Sequence, residues 1–152
     1  MSQPVSPTRH VLVLSGPNLA ALGSREPEIY GTLTLDDIQR QVVEQAEELG
    51  LQATCRQTDD EGELVGWLHE AAVAGWDVIL NPAAFTHYSY AVGDACAHLA
   101  GMGSRLIEVH LSNPASRETF RHTSVVARSA TGTIAGFGAA SYLLALRALA
   151  GH

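Results

Sequence analysis

Residues 76–114, WDVILNPAAFTHYSYAVGDACAHLAGMGSRLIEVHLSNP, hold one full period of the pattern that sets the fold. WDVILNP (76–82) is a short apolar run that ends in a turn at Asn81-Pro82. YSYAVGDACAHLAG (88–101) reads as a helix with a glycine end, and SRLIEVHLSNP (104–114) is a second apolar run closed by a turn. Valine- and leucine-rich runs without strict alternation are what strands covered on both faces look like.

The alternation extends in both directions. Upstream, HVLVLS (10–15) is a strand, and the segment from Thr34 is a helix with Leu35, Ile38, Val42, Ala46 and Leu49 at helical spacing. Thr34 suits the N-cap, Asp36 and Asp37 the first turn, and Gly50 the stop. LQATCRQ (51–57) is the next strand, and GELVGWLHEAAVAG (62–75) a helix ending at Gly75. Downstream, RETFRHTSVVARSATGTIAG (117–136) predicts a loop and one short strand at Gly132–Ala135, before the apolar terminal helix of GFGAASYLLALRALAG. Strands alternating with helices of ten or more residues give an α/β fold. Five such strands suit a flavodoxin-like, five-stranded parallel sheet with helices on both faces; their order is not readable from one sequence. Residues 1–9 predict a disordered N-terminal tail, and 10–150 a single domain.

Composition narrows the function. A length of 152 residues with 46% apolar and 16% charged residues suits one domain with a core of its own. A net charge of -7 and nine basic residues without a run exclude a phosphate-backbone track, so nucleic acid is not the expected partner. Isolated loop arginines suit a small anion instead. Two distant cysteines, Cys55 and Cys96, and no apolar leader segment predict a reduced, cytoplasmic protein. The most apolar windows are too short and too broken to span a membrane.

Polar residues collect where the strands end: Ser15-Gly16-Pro17-Asn18, Asn81-Pro82 and His110-Leu111-Ser112-Asn113. In an open α/β sheet the ligand crevice lies outside these carboxyl ends. The first turn carries neither G-x-G-x-x-G nor a P-loop, and GFGAAS follows no long strand, so nucleotide cofactors are not indicated. The sixteen residues GPNLAALGSREPEIYG (16–31) are too long for a tight turn. They read either as a surface loop pinned by Ile29 and Tyr30, or as a lid carrying Arg25 and Tyr30 over the crevice. A cation beside a phenol favours phenolate, making Tyr30 a candidate base. Glu108 and His110, two apart on a strand, share a face; they are a satisfied polar pair or a carboxylate-oriented general acid. Leu111 and Ser112 offer backbone N–H groups to a carboxylate. His87 precedes a helix as a cap or a ligand contact, and Arg117 and Arg121 share a face if their loop is helical. No clustered Cys or His series suits a metal, and no G-x-S-x-G elbow is present. The inventory fits proton abstraction beside a carbonyl, with Asn18 steadying the enolate oxygen and His110 protonating a departing hydroxyl.

LSGPNLAALGSREPEIYG, EGELVGWLHEA, NPAAFTHYS, EVHLSN and RETFRH, in this order, resemble the successive signatures of the type II 3-dehydroquinate dehydratases, from about His10 to Leu149. The resemblance implies a flavodoxin-like fold and a homo-dodecamer built as a tetramer of trimers. It implies elimination of water from 3-dehydroquinate, a small anionic carbocyclic substrate, to 3-dehydroshikimate through an enolate, with no metal and no organic cofactor. Position by position, Tyr30 is similar to the family's base and Arg25 to the arginine that activates it. Asn18 resembles the holder of the enolate-stabilising water, and His110 the general acid oriented by Glu108. Asn81, His87, Leu111, Ser112 and Arg121 resemble the substrate-binding set, and Arg117 a further basic residue of that loop. Asp94 resembles an aspartate that reaches a neighbouring subunit's site. The chain departs from the pattern at Ser15, Tyr88, Tyr90, Gly93, Thr123 and Arg128. Tyr88 is expected to add bulk beside His87, and Gly93 to loosen the surroundings of Asp94. Two alternatives stand beside the dehydratase: a related lyase for another cyclic hydroxy-keto acid, with Tyr88 narrowing its pocket, and a non-enzymatic flavodoxin-like binding domain.

Overall fold

The computed structural model describes residues 8–24, 28 and 32–151. Five strands, β1 (Arg9–Ser15), β2 (Leu51–Gln57), β3 (Asp77–Asn81), β4 (Leu106–His110) and β5 (Gly132–Ala135), pair in parallel in the order β2-β1-β3-β4-β5. Among the described residues, four α-helices of more than one turn flank them: α1 (Leu35–Glu48), α2 (Glu61–Ala74), α3 (Tyr90–Gly101) and α4 (Ala140–Ala150). The expected flavodoxin-like architecture is present, and its order places the reversal of winding between β1 and β3.

The strand sequences explain the two layers. Val11, Val13, Ile79, Ile107 and Val109 pack with α1 and α4 through Ile38, Val42, Tyr142, Leu146 and Leu149. Leu12, Leu14, Val78, Leu80 and Leu106 face the other way, onto Leu64 and Leu68 of α2 and Val92, Cys96 and Leu99 of α3. Side chains alternate faces along a strand, so a run apolar at every position fills two cores at once. Crossovers between parallel strands are right-handed. The connection running outward from β1 to β2 therefore lies on one face, and those running back through β3 to β4 on the other.

Local signals fix the helix ends. At α1, Asp37 N–H donates to Thr34 Oγ1 (3.1 Å) and Thr34 N–H to Asp37 Oδ2 (3.0 Å), a full capping box. Asp60 caps α2, and Gly75 ends it in the left-handed region at φ 74°. Helix α3 begins two residues later than its sequence suggests, because Ser89 is its N-cap and accepts Val92 N–H at 3.1 Å. The 113–129 segment forms no regular helix; it folds into three short 3₁₀ turns.

Candidate active site

Strands β1, β3 and β4 deliver Ser15, Asn81 and His110 to one end of the sheet. Gly16 N–H donates to Asn81 O at 2.8 Å, stitching the first two strand ends together. A Cβ at position 16 would lie 2.7 Å from Pro82 O, so only glycine permits this approach. The turn then places Asn18 in the left-handed region at φ 69°. Its N–H is held by Asp59 Oδ1 (2.8 Å), and Gln57 Nε2 donates to the same oxygen and to Gly16 O. The Asn18 side chain is thereby presented at the mouth of the crevice.

That crevice is lined by Asn18, Asn81, His87, His110, Leu111, Ser112, Arg117 and Arg121. Eight of the twelve expected site residues therefore meet at one place. Glu108 stands directly behind them. Asp94 does not join them: it opens onto a separate depression with Tyr90, Ser124 and Arg128. Arg25 and Tyr30 lie outside the described residues.

At the end of β4, His110 Nε2 donates to Glu108 Oε2 at 2.5 Å. Glu108 is 1% exposed and receives two further hydrogen bonds, from Thr86 Oγ1 (2.6 Å) and Ser124 Oγ (2.9 Å). Burial pushes its carboxyl up, but the bonds from His110, Thr86 and Ser124 and the imidazole charge outweigh this and hold it below its ordinary value. An ionised Glu108 fixes the ring through Nε2 and leaves Nδ1 for the crevice.

Asn81 is locked in its own network. Its Nδ2 donates to the Tyr142 hydroxyl (3.1 Å), which lies 2.9 Å from Ser15 Oγ, and its Oδ1 accepts Ala83 N–H (3.1 Å). One amide proton and one lone pair remain for a ligand. Burial pushes the fully enclosed Tyr142 phenol up to about 12, so it is neutral at ordinary pH. His87 Nδ1 donates to Thr123 O (2.8 Å). Burial, aided by the positive charge of His110 and Arg121, lowers its pKa, leaving a neutral ring whose Nε2 can accept from a hydroxyl.

Arg117 and Arg121 would share a face only if their loop were a regular helix, and it is not. Arg117 follows the first 3₁₀ turn in extended conformation and Arg121 lies within the next, yet both line the crevice. Arg117 reaches Ser112 Oγ (3.3 Å); Arg121 Nε donates to Glu118 Oε1 (3.2 Å) and its guanidinium lies over Phe120. Two arginines give this crevice a cationic lining in a chain of net charge -7.

Two expected effects of the departures are corrected. Tyr88 does not narrow the crevice: it packs edge-on against Phe85, is 58% exposed and is not among the lining residues. Gly93 does not loosen its surroundings, since a Cβ there would meet Val125 O at 3.0 Å; the missing side chain lets the 123–127 loop pack directly on α3. Sequence reasoning missed Thr86, Ser124 and Tyr142. The first two are ordinary hydroxyls, 22 and 16 residues from Glu108, and Tyr142 sits within an apolar helix; none carries a local signal.

Among the described residues, no three His, Cys, Asp or Glu side chains converge as a metal site, and no helix is long and apolar enough to cross a membrane. A switch-point crevice with a carboxylate-backed histidine, two asparagines and two arginines carries the groups that acid–base chemistry on a small molecule requires. The sequence pattern of the family Dehydroquinase class II matches residues 9–150. The 3-dehydroquinate dehydratase of Salinispora tropica is 56% identical over 140 residues, covering 92% of this chain and 96% of its own. That of Kineococcus radiotolerans is 53% identical over 142 residues, covering 93% and 95%. The crystal structure of type II dehydroquinase from Propionibacterium acnes superposes with a TM-score of 0.92 at 50% identity, over 95% of this chain and 98% of that one. The chain belongs to the class II dehydroquinase family.

Proposed function

We propose how the residues of this crevice divide the work of the family's reaction, the elimination of water from 3-dehydroquinate to 3-dehydroshikimate. The chain is a hydro-lyase, and its substrate is a small cyclic molecule. Tyr30, as phenolate beside Arg25, takes the proton next to the ketone, and the electron pair moves onto the carbonyl oxygen as an enolate. Asn18 steadies that oxygen, directly or through a water. As the enolate collapses, the C–O bond to the hydroxyl breaks and His110 delivers a proton from Nδ1, so that water leaves. Glu108 orients the ring.

The substrate carboxylate sits against the N–H groups of Leu111 and Ser112, with Arg117 and Arg121 supplying charge. Asn81 and His87 take the ring hydroxyls. No metal or organic cofactor takes part in this scheme. All nine basic residues are arginines, so the chain has no lysine to form an imine with the ketone. We further propose one catalytic domain over 10–150, a cytoplasmic location, and a dodecamer of four trimers in which Asp94 serves a neighbouring subunit. Its exposed place on α3, away from the crevice of its own chain, supports that reading.

The observation that carries the scheme is the 2.5 Å Glu108–His110 contact at the crevice. The test follows the conjugated enone by ultraviolet absorbance. Tyr30→Phe and His110→Ala each lower turnover by at least about 10²-fold while circular dichroism is retained. Near-normal turnover in both refutes the assignment of roles.

A further inference from the structure

We propose that Thr86 and Ser124 act as a two-hydroxyl clamp that fixes the plane of the Glu108 carboxylate and, through it, the aim of the His110 ring. This makes them positioning residues for the proposed general acid, and it rests on that reading of His110.

Three chain segments meet on one carboxylate. Oε2 receives His110 Nε2 (2.5 Å) and Thr86 Oγ1 (2.6 Å); Oε1 receives Ser124 Oγ (2.9 Å), which also lies 3.1 Å from Oε2. At 1% exposure Glu108 has no bulk water to orient it. Its terminal torsion is intrinsically broad, so the bonds it accepts must set the plane.

The direction of these bonds follows from proton counting. Thr86 Oγ1 and Ser124 Oγ lie 2.7 Å apart, and each hydroxyl has one proton. Ser124 Oγ already accepts Val126 N–H (3.2 Å) and Ala127 N–H (3.0 Å), which fills both its lone pairs. Thr86 therefore cannot donate to Ser124, and its proton goes to Glu108 Oε2; the one Ser124 proton is shared between Glu108 Oε1 (2.9 Å) and Thr86 Oγ1 (2.7 Å), so Ser124 holds the carboxylate both directly and through Thr86. The two hydroxyls are also held in register, because Val125 N–H donates to Thr86 O at 2.7 Å. The close packing at Gly93 seats this same loop against α3. A buried acceptor with donors on both oxygens is rigid; one that loses a donor can rotate.

The test uses Ser124→Ala and Ser124→Thr in the full chain. A slowly exchanging, far-downfield N–H proton resonance is expected from His110 Nε2, identified by its loss in His110→Ala. In Ser124→Ala this resonance broadens or vanishes, and kcat falls about tenfold with KM changed less than about twofold. Ser124→Thr keeps both near wild type. A resonance unchanged in Ser124→Ala, its absence from the wild type, or a loss of kcat with the resonance intact overturns the clamp. A wild-type chain that does not turn over 3-dehydroquinate overturns the proposed function instead, and the resonance still decides the clamp.

Discussion

Replacing Tyr142 with Phe deletes one buried oxygen atom that holds Asn81 of the crevice and should be costly. The hydroxyl is enclosed, with Tyr142 and Ser15 each 1% exposed and Asn81 2% exposed. It joins β1 to β3 through Ser15 Oγ (2.9 Å) and Asn81 Nδ2 (3.1 Å). Without it, both partners stay buried with a lost bond and no water to replace it. A stranded buried polar group costs about 1–3 kcal/mol, so two give roughly 2–6 kcal/mol. With a urea slope of about 2 kcal/mol per M, that moves the midpoint down by about 1–3 M. The measurement is urea unfolding at fixed protein concentration, with Ser15→Ala and the double variant completing a cycle. A loss below about 0.5 kcal/mol, or strict additivity with Ser15→Ala, refutes the network. A pH series gives an independent check. Burial keeps the folded phenol protonated to about 12, above the unfolded side chain at about 10. The stabilisation it contributes is complete below pH 10 and is lost as pH rises through 12, a loss that Tyr142→Phe should not show.

Thr34→Ala removes one arm of the α1 capping box and should cost about 1 kcal/mol in urea unfolding, with turnover unaffected. Glu108 has a depressed carboxyl in the fold, so its contribution is present above the unfolded carboxylate range and disappears as pH falls through the folded value. Glu108→Gln should therefore be less stable than wild type at pH 7, with the gap narrowing in acid; a pH-independent gap contradicts the assignment. Arg121→Gln should raise KM for 3-dehydroquinate by about tenfold or more with a smaller change in kcat, as read by steady-state enone formation.

How much of this was legible in sequence depends on the range of the interaction. The strands were readable because Val11–Leu14 and Val78–Leu80 are apolar at every position, a demand made by two cores rather than one. The ends of α1 and α2 were readable because Thr34, Asp37 and Gly75 act within four residues. Glu108 and His110 were paired correctly because a strand puts i and i+2 on one face. Strand order was not readable, since it is decided by crossovers rather than by any one segment. The support of the site was hidden for a similar reason. Tyr142 meets Ser15 across 127 residues, and Ser124 meets Glu108 only because the 113–129 segment bends through 3₁₀ turns instead of forming a helix.

The arginines at the far edge of the sheet have a practical consequence. Arg9 Nη2 donates to Leu149 O at 2.8 Å, and Arg105 Nη2 donates to the same carbonyl at 3.2 Å. The start of the first strand and the last turn of α4 are therefore within one side chain's reach of each other. Because every strand is parallel, this junction lies at the opposite pole from the crevice. The backbone could be joined there by a short linker and reopened in an exposed connection such as Gly50, giving a circular permutant with its catalytic pole untouched. The same pole is the natural place to graft a fluorophore or a surface anchor while keeping the chemistry facing outward.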